Sequence, residues 1–188
     1  MYAITVIASP RRNGNCKHIT DTINNILGDN DINTETYFVD DLNIKPCQAC
    51  RRCKDMDNPT RCIIDDDFNR IMDRIRQSQL FIFAAPNYFG ELNAQAHLFI
   101  DRFYSMTKTT PNKMDYTTKC IVIHTYGARM GHYDEYINKR AGVFNSIGLD
   151  VIEVLSIGGG LPTSGDDDEV NKMTIDAANK AIMSIYDE

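Results

Sequence analysis

The sequence predicts an α/β fold, a doubly wound five-stranded parallel sheet between two layers of helices in a three-layer α/β/α sandwich. Two observations predict it: short apolar runs bounded by turn residues, and stretches of helical spacing that alternate with those runs. Strands that alternate with helices pair in parallel through right-handed crossovers, which place helices on both faces of one sheet. We expect a single domain over residues 1–188, because the chain has no internal repeat and no linker long enough to separate domains.

The five predicted strands are short, apolar and rich in β-branched residues. The first, YAITVIA, is typical of a strand that is buried on both faces, and the turn-like pair Ser9-Pro10 follows it. The later runs are bounded in the same way by Gly, Pro or Asp. The predicted strands cover residues 2–8, 34–39, 80–85, 120–125 and 151–157.

The five predicted helices have apolar residues at steps of three and four positions. In the first helix, Ile19, Ile23 and Ile26 recur in this way. Ahead of the second helix, an acidic triplet at residues 65–67 offers side chains that cap a helix N-terminus. The predicted helices cover residues 15–27, 68–75, 93–103, 133–147 and 170–185.

Charge and hydropathy argue against two kinds of partner. A net charge of −6 argues against a nucleic acid, because binding to phosphates along a strand needs a basic face. No run of about 18 apolar residues is present, so the sequence predicts no membrane partner. The N-terminus enters a strand pattern rather than a signal sequence, so we expect a soluble, cytoplasmic protein.

The loop after the first strand is a candidate phosphate site. Residues 9–16 lead directly into the first helix and offer hydroxyl, guanidinium and amide donors. Ligands of open α/β sheets bind beyond the carboxyl ends of the strands, where a helix N-terminus offers free N–H groups. The loop lacks the G-x-G-x-x-G motif of dinucleotide-binding folds and the motif of the P-loop. A polar turn with a cap residue explains the pattern equally well, so the residues alone leave both interpretations open.

Two further loops are expected at the same edge of the sheet. Residues 86–90 follow the third strand, and residues 125–131 follow the fourth and contain two glycines that permit close backbone approach to a planar ligand. A proline turn with core aromatic residues is the alternative for residues 86–90. His124 and His132 flank the third loop, but a histidine near a strand end is more often structural. The sequence therefore assigns no catalytic residue.

The connection at residues 40–64 is the main irregularity of the predicted fold. It is longer than the roughly two to six residues that usually join a strand to a helix, and such long loops are usually functional. It contains four of the six cysteines, as a C-x2-C-x2-C motif followed by one more cysteine after eight residues. The tight motif lets one segment supply three corners of an iron–sulfur cubane. We therefore treat residues 40–64 as a cysteine-loop insertion.

The fourth ligand of such a cluster would be Cys62, which lies apart from the C-x2-C-x2-C motif. Nine residue steps separate Cys53 from Cys62 and span up to about 30 Å, so the reach of the chain permits ligation. Zinc sites more often use two separated C-x2-C pairs, and unligated thiols are a further alternative. The cations Arg51, Arg52 and Lys54 lie beside the motif. Three interpretations are open: they balance the charge of an anionic cluster, they dock an acidic redox partner, or they are solvated loop charges.

These motifs resemble a known family. Residues 8–16, ASPRRNGNC, resemble the G-S-P-R-x-x-x-N-T loop that opens the NAD(P)H-dependent FMN reductase family, which has a flavodoxin-like fold. Residues 86–90, PNYFG, resemble the second flavin loop of that family, and residues 94–95 and 99–102 continue the likeness. The cysteine loop, followed by Asp65-Asp66, most resembles the iron–sulfur flavoprotein subfamily. Ala8 replaces the usual Gly and Cys16 the usual Thr, so we expect one weaker phosphate contact.

The resemblance implies a set of ligands and of residues that hold them. The phosphate of FMN is held by Ser9, Arg11, Asn13, Asn15 and Cys16. The isoalloxazine ring is framed by Pro86, Asn87, Tyr88, Phe89, Gly90, Thr125, Tyr126 and Gly127. A 4Fe-4S cluster is held by Cys47, Cys50, Cys53 and Cys62.

The function implied is an FMN-dependent oxidoreductase of the iron–sulfur flavoprotein type. It passes electrons between a 4Fe-4S cluster or NAD(P)H, FMN and an acceptor, which is a small molecule or a ferredoxin-like partner. A homodimer or homotetramer is also implied. Two alternatives remain open: a cluster-free NAD(P)H:FMN or quinone reductase, and a non-enzymatic flavodoxin-like binding module with a zinc-stabilised loop.

Overall fold

The computed structural model describes residues 1–55, 61–107, 113–160 and 167–187, and these ranges contain six strands and five α-helices. The strands are β1 (Tyr2–Ile7), β2 (Asn33–Phe38), β3 (Leu80–Tyr88), β4 (Glu91–Leu92), β5 (Lys119–Thr125) and β6 (Asp150–Ile157). The α-helices are α1 (Asn15–Gly28), α2 (Asp67–Arg76), α3 (Ala94–Asp101), α4 (Asp134–Ser146) and α5 (Asp168–Tyr186). Short 3-10 turns lie at Val39–Asp41, Arg52–Lys54 and Arg102–Met106.

The sheet has the strand order β2-β1-β3-β5-β6, and each of these neighbours is paired in parallel. The chain moves outward from β1 to β2 and then returns to place β3 on the other side of β1. The loops after β1 and β3 therefore leave the sheet in opposite directions and open a crevice between them. The predicted doubly wound sheet of five parallel strands is confirmed.

Two apolar layers cover the faces of the sheet. On one face, α2, α3 and α4 pack through an aromatic cluster in which the rings of Phe83 and Phe99 lie 5.9 Å apart. On the other face, α1 and α5 pack through aliphatic side chains such as Ile23 and Ala178. Because both faces of the central strands are covered, these strands read as continuous apolar runs rather than alternating ones.

The strand β4 was not predicted. It pairs antiparallel with the end of β3, with Tyr88 opposite Glu91, and this hairpin extends β3 beyond the predicted end at residue 85. The two turn residues, Phe89 and Gly90, have φ angles of 53° and 85°, the left-handed geometry of a tight two-residue hairpin. A two-residue strand is too short to leave a hydrophobic pattern, which is why the sequence does not predict it.

No helix in the described ranges is both long enough and apolar enough to span a membrane. The cysteine-loop insertion leaves β2 through the 3-10 turn Val39–Asp41 and returns at α2. Its residues 56–60 lie outside the described ranges. Asp66 caps α2 by accepting a hydrogen bond from the backbone N–H of Phe68 at 3.2 Å, as the acidic triplet predicts.

Candidate functional site

Three loops at the carboxyl edge of the sheet surround one pocket of about 240 Å³. The first loop follows β1, the second predicted loop is largely the end of β3, and the third starts at the last residue of β5; Gly160, after β6, also lines the pocket. The pocket is lined by Ser9, Arg11, Asn13, Gly14, Asn15, Cys16, Pro86, Asn87, Tyr88, Thr125, Tyr126, Gly127 and Gly160. The structure thus brings together all the residues predicted to contact FMN except Phe89 and Gly90.

The N-terminus of α1 lies at the pocket, which Gly14, Asn15 and Cys16 line. Gly14 is the N-cap residue, so no side chain caps this helix, and its first turn contains no acidic residue. In contrast, α3 and α5 are capped by Asn93 and Asp167. The loop itself is held by Ser9, which is buried and accepts a hydrogen bond from the backbone N–H of Arg11 at 3.2 Å. An uncapped, uncharged helix start favours an anionic ligand such as a phosphate.

Cys16 lies at the junction of the first and third loops. Its Sγ is 3.3 Å from Oγ1 of Thr125, and its side chain is 1% exposed. Burial raises the pKa of the Cys16 thiol to about 12, so the thiol stays protonated near neutral pH. Cys16 is therefore a packing and hydrogen-bonding residue, not a reactive thiol.

Asn87 is a buried polar side chain in this pocket without a partner among the described residues. Its Nδ2 and Oδ1 are both buried and make no hydrogen bond to the described residues. Buried amides are almost always hydrogen-bonded, because an unsatisfied one costs about 1–3 kcal/mol. The orphaned amide therefore fits a ligand that offers both a donor and an acceptor, as the edge of a flavin ring does.

The third loop is held rigidly against β6. The Oη atom of Tyr126 lies 2.9 Å from Oγ of Ser156 and accepts a hydrogen bond from the backbone N–H of Gly131 at 3.1 Å. A Cβ atom on Gly158 would lie 2.5 Å from a ring carbon of Tyr126, so only glycine allows this close approach. The loop thus presents Thr125 and Gly127 to the pocket from a fixed position.

Phe89 and Gly90 form the tip of the β3–β4 hairpin and do not line the pocket. Phe89 is fully exposed at 108% relative accessibility. The sequence did not predict Gly14 and Gly160 as site residues, although the run of three glycines at residues 158–160 follows a predicted strand at the same edge.

Arg12, next to the predicted ligand Arg11, does not line the pocket: it forms a bidentate ion pair with Asp41 and stacks over Phe38 at 4.0 Å. It therefore ties the first loop to the start of the cysteine-loop insertion.

The four cysteines of the insertion line a second cavity. Residues 63–64 and the 3-10 turn after α3 complete its wall, and the room between the side chains is about 10 Å³, enough for about one water. Cys53 is buried, Cys47 and Cys62 are half-buried, and Cys50 is exposed. Burial raises the pKa of the Cys53 thiol above its ordinary value. Within the described ranges, no group of three or more Cys, His, Asp or Glu side chains is arranged to hold a metal ion.

The two ends of the cysteine-loop insertion are tied to each other. Asn43 donates its backbone N–H to Asp67 Oδ2 at 2.7 Å, and the backbone N–H of Asp67 donates to the carbonyl of Asn43 at 3.2 Å. Asn69 donates to the carbonyls of Cys62 and Ile64, both at 2.9 Å. These bonds return the chain to its starting point, which is how Cys62 comes to face the same cavity as the C-x2-C-x2-C motif.

The fold and the first pocket define the class of protein. A sheet of this strand order with a pocket at the β1/β3 crossover is the flavodoxin-like α/β architecture. The solved structure of oxidised flavodoxin 1 from Bacillus cereus has the same fold, with a TM-score of 0.64 and 14% identity, over 97% of this chain and 98% of that one.

The family follows from comparison of the sequence. The family model described as NADPH-dependent FMN reductase matches residues 1–159, and the chain belongs to that family. The protein is a flavin-dependent oxidoreductase, as predicted, and dependence on NAD(P)H and FMN is the property that defines the family. The non-enzymatic alternative does not agree with this membership.

Two relatives are named as iron–sulfur flavoproteins. The protein from Methanosarcina thermophila is 26% identical over 186 residues, which are 97% of this chain and 93% of the relative. The protein from Methanocaldococcus jannaschii is 30% identical over 102 residues, which are 54% of this chain and 51% of the relative. The predicted resemblance to the FMN reductase family and its iron–sulfur flavoproteins is confirmed.

Proposed function

We propose that the protein is an FMN-dependent oxidoreductase of the iron–sulfur flavoprotein type. It passes electrons between a 4Fe-4S cluster or NAD(P)H, FMN and an acceptor. The observation that supports it best is the convergence of Cys47, Cys50, Cys53 and Cys62 on one cavity, in a chain of the FMN reductase family. Cys62 lies nine residues beyond Cys53, and the tied ends of the insertion support it as the fourth ligand.

The pocket fits FMN in both charge and hydrogen bonding. The uncapped start of α1, together with Ser9 and Arg11, suits the phosphate, and the orphaned amide of Asn87 suits the polar edge of the ring. FMN supplies the redox chemistry when it is bound, and it links two-electron donors to one-electron carriers. The protein binds and orients it, while Pro86, Tyr88 and Tyr126 exclude water beside the ring.

The cysteine cavity fits an anionic cluster in its donors. Ala49 and Arg51 have φ angles of 51° and 59°, so left-handed residues lie on both sides of Cys50. Such alternation turns successive backbone N–H groups inward and forms the concave anion sites found around iron–sulfur clusters. From Cys47 to Cys53, no backbone N–H donates to another described residue, so these groups are available to sulfur.

The room in the cavity sets a condition on this proposal. Because about 10 Å³ holds about one water, the thiols have to move apart to ligate a cluster. The exposed segment around Cys50 permits such a movement, since its N–H groups are not engaged. The small room is also the observation that favours the second candidate, a cluster-free NAD(P)H:FMN or quinone reductase.

One helix connects the two sites. The N-cap of α3, Asn93, donates to the carbonyl of Ala8 at 2.6 Å, beside the first flavin loop. Arg102, directly after the helix, lines the cysteine cavity. Eight helical residues extend about 12 Å, so α3 is a short rigid spacer between the proposed cluster and the proposed flavin.

The proposed electron acceptor is a small molecule or a ferredoxin-like protein. Arg51 lines the cysteine cavity, and both it and the neighbouring Arg52 are exposed, which suits an acidic redox partner. The expected homodimer or homotetramer stays a prediction.

Anaerobic purification followed by an absorption spectrum and by iron and sulfide analysis tests the proposal. We expect flavin bands, a broad iron–sulfur shoulder, and about four iron and four sulfide per chain after reconstitution. Cys53→Ser is expected to lose the iron but keep FMN, whereas the control Cys120→Ala, buried in the core, keeps both. FMN with no iron after reconstitution would instead identify the cluster-free reductase.

A further inference from the structure

Arg102 is a fully buried cation in the wall of the cysteine cavity. It is 1% exposed, and its guanidinium carbon lies 4.7 Å from the centroid of the Phe68 ring. Removing a guanidinium from water costs several kcal/mol unless its charge and its N–H groups find partners. The partners of this side chain therefore indicate what it is there to hold.

Two of the guanidinium nitrogens hold the two ends of the cysteine-loop insertion. Nη1 donates to the carbonyl of Lys45 at 2.9 Å, and Nη2 donates to the carbonyl of Ile64 at 3.4 Å. Lys45 lies two residues before Cys47, and Ile64 lies two residues after Cys62. The planar guanidinium of Arg102 therefore binds the chain on the outer side of both Cys47 and Cys62.

Asp66 completes this arrangement. Arg102 Nη1 donates to Asp66 Oδ2 at 2.6 Å in an ion pair whose side chains are both 0% exposed. The same oxygen accepts the backbone N–H of Lys45 at 2.9 Å, while Oδ1 caps α2. The charge of Arg102 is thus balanced at the point where the loop begins and ends.

The third nitrogen of the guanidinium is not used by these contacts. Nε is buried and makes no hydrogen bond to the described residues. A buried donor of this kind normally has an acceptor, and a donor on a cation costs the most to leave unsatisfied. The cavity that Arg102 lines holds the four thiols.

We propose that Arg102 is the positioning residue of the iron–sulfur site. Nη1 and Nη2 hold together the two chain segments next to Cys47 and Cys62, at Lys45 and Ile64, which we call the stems. Nε–H donates to a sulfur at the cluster. This role rests on the proposed function. A hydrogen bond and a positive charge stabilise the more negative, reduced form of a cluster, so Arg102 raises its reduction potential.

Two variants and one control test this role. Arg102→Lys keeps the charge but loses the planar fork and Nε–H. The double variant D66N/R102Q removes both charges, leaves no unpaired buried ion and keeps a good N-cap residue on α2. Arg74→Gln is the control, because Arg74 pairs with Glu35 at the surface, away from the cysteine cavity.

The first measurement uses iron-free protein and follows alkylation of each cysteine by mass spectrometry. We expect Cys53 to react about tenfold faster in both Arg102 variants than in the wild type and the control. Slow alkylation of Cys120, which is buried in β5 at 0% exposure and lines neither cavity, reports that each variant is folded.

The second measurement is a potentiometric titration of reconstituted protein. We expect a shift of the cluster potential to more negative values in both Arg102 variants, with the FMN potential unchanged. A purely structural arginine would change iron occupancy but not the potential of the clusters that form.

Each outcome decides a separate point. Wild-type alkylation rates in both variants would overturn the role of Arg102 in holding the stems, and an unchanged potential would overturn the role of Nε–H. If wild-type protein binds FMN but no iron, the proposed cluster fails, and the role of Nε–H fails with it. The alkylation rates still decide whether Arg102 holds the loop in that case.

Discussion

Asn87 and His124 are both buried and both lack hydrogen-bond partners among the described residues, but their surroundings differ. Asn87 lines the proposed flavin pocket, where a ligand can satisfy it. His124 lies in β5, one residue before that pocket, and its ring is 0% exposed. Burial, assisted by nearby Arg140, lowers the pKa of His124 to about 4, so the ring is neutral at pH 7.

Replacing Asn87 tests whether its amide binds the cofactor. We expect Asn87→Leu to weaken FMN binding about five- to thirtyfold, the loss of about 1–2 kcal/mol of hydrogen bonding, while the cofactor-free chain stays at least as stable. FMN fluorescence quenching and urea unfolding measure the two quantities. Asn138→Leu on the exposed side of α4 is the control, and equal FMN affinity in the two variants would contradict the role of Asn87.

His124 predicts an acid-sensitive stability. Its folded-state pKa lies below the ordinary value of 6.5, so the unfolded chain takes up the proton more readily. Above about pH 6.5 the ring is neutral in both states and does not alter the free energy of unfolding. As the pH drops toward 4, protonation of the unfolded chain lowers that free energy by up to about 3 kcal/mol. Urea unfolding across this range is expected to be flatter in His124→Leu. His18→Leu, at an exposed position of α1, should keep the wild-type slope, and an identical slope in all three proteins would show that His124 is not buried neutral.

At the level of elements, the position of the loop after β5 depends on Gly158, which directly follows β6. Gly158→Ala would place a methyl group 2.5 Å from the Tyr126 ring and 2.7 Å from the carbonyl of Ala128. We expect a loss of about 1–3 kcal/mol in stability and a displaced third loop, and therefore weaker FMN binding. Thermal unfolding and FMN titration measure both effects.

Gly142→Ala is the matched control for this substitution. Gly142 lies inside α4, and apart from its chain neighbours and the backbone of its own helix, no described atom lies within 4 Å of the position of a Cβ. Alanine there should stabilise the helix by about 0.5–1 kcal/mol and leave FMN binding unchanged. A Gly158→Ala variant as stable as this control would mean that the third loop is not held in the way described.

The β3–β4 hairpin predicts that a bulky tip residue can be replaced. Both turn residues have positive φ, and asparagine adopts that conformation more readily than phenylalanine. We expect Phe89→Asn to keep or slightly raise stability and to change FMN affinity less than about twofold, because Phe89 does not line the pocket. A large loss of FMN affinity would restore Phe89 to the ring site that the sequence predicted.

The elements differ in how far the sequence predicted them. The parallel strands were found because burial on both faces leaves unbroken apolar runs, and the helices because their apolar spacing has a different period. The predicted third helix, residues 93–103, instead continues from α3 into the 3-10 turn Arg102–Met106. That change of helix type places Arg102 and Tyr104 against the cysteine cavity, which the spacing of apolar residues does not reveal.

At the scale of the whole molecule, the proposed function predicts a stabilising cofactor. A ligand that binds only the folded chain at about 100 times its Kd stabilises it by about 2.7 kcal/mol, or roughly 5–10 °C in Tm for a chain of this size. We expect FMN to produce this shift and riboflavin, which lacks the phosphate, to need a much higher concentration. Calorimetry with both ligands is the measurement, and equal effects would argue against the first loop as a phosphate site.

By itself, the sequence determined the alternation of strands and helices, the three loops at one sheet edge, the cysteine spacing and the family, because each is a local pattern. Only the tertiary structure decided that Phe89 stands outside the pocket, that Cys62 returns to the other cysteines and that Arg102 holds both ends of their loop. These contacts join residues far apart in the chain, such as Lys45 and Arg102. They depend on how layers pack around the sheet, and no local periodicity contains that information.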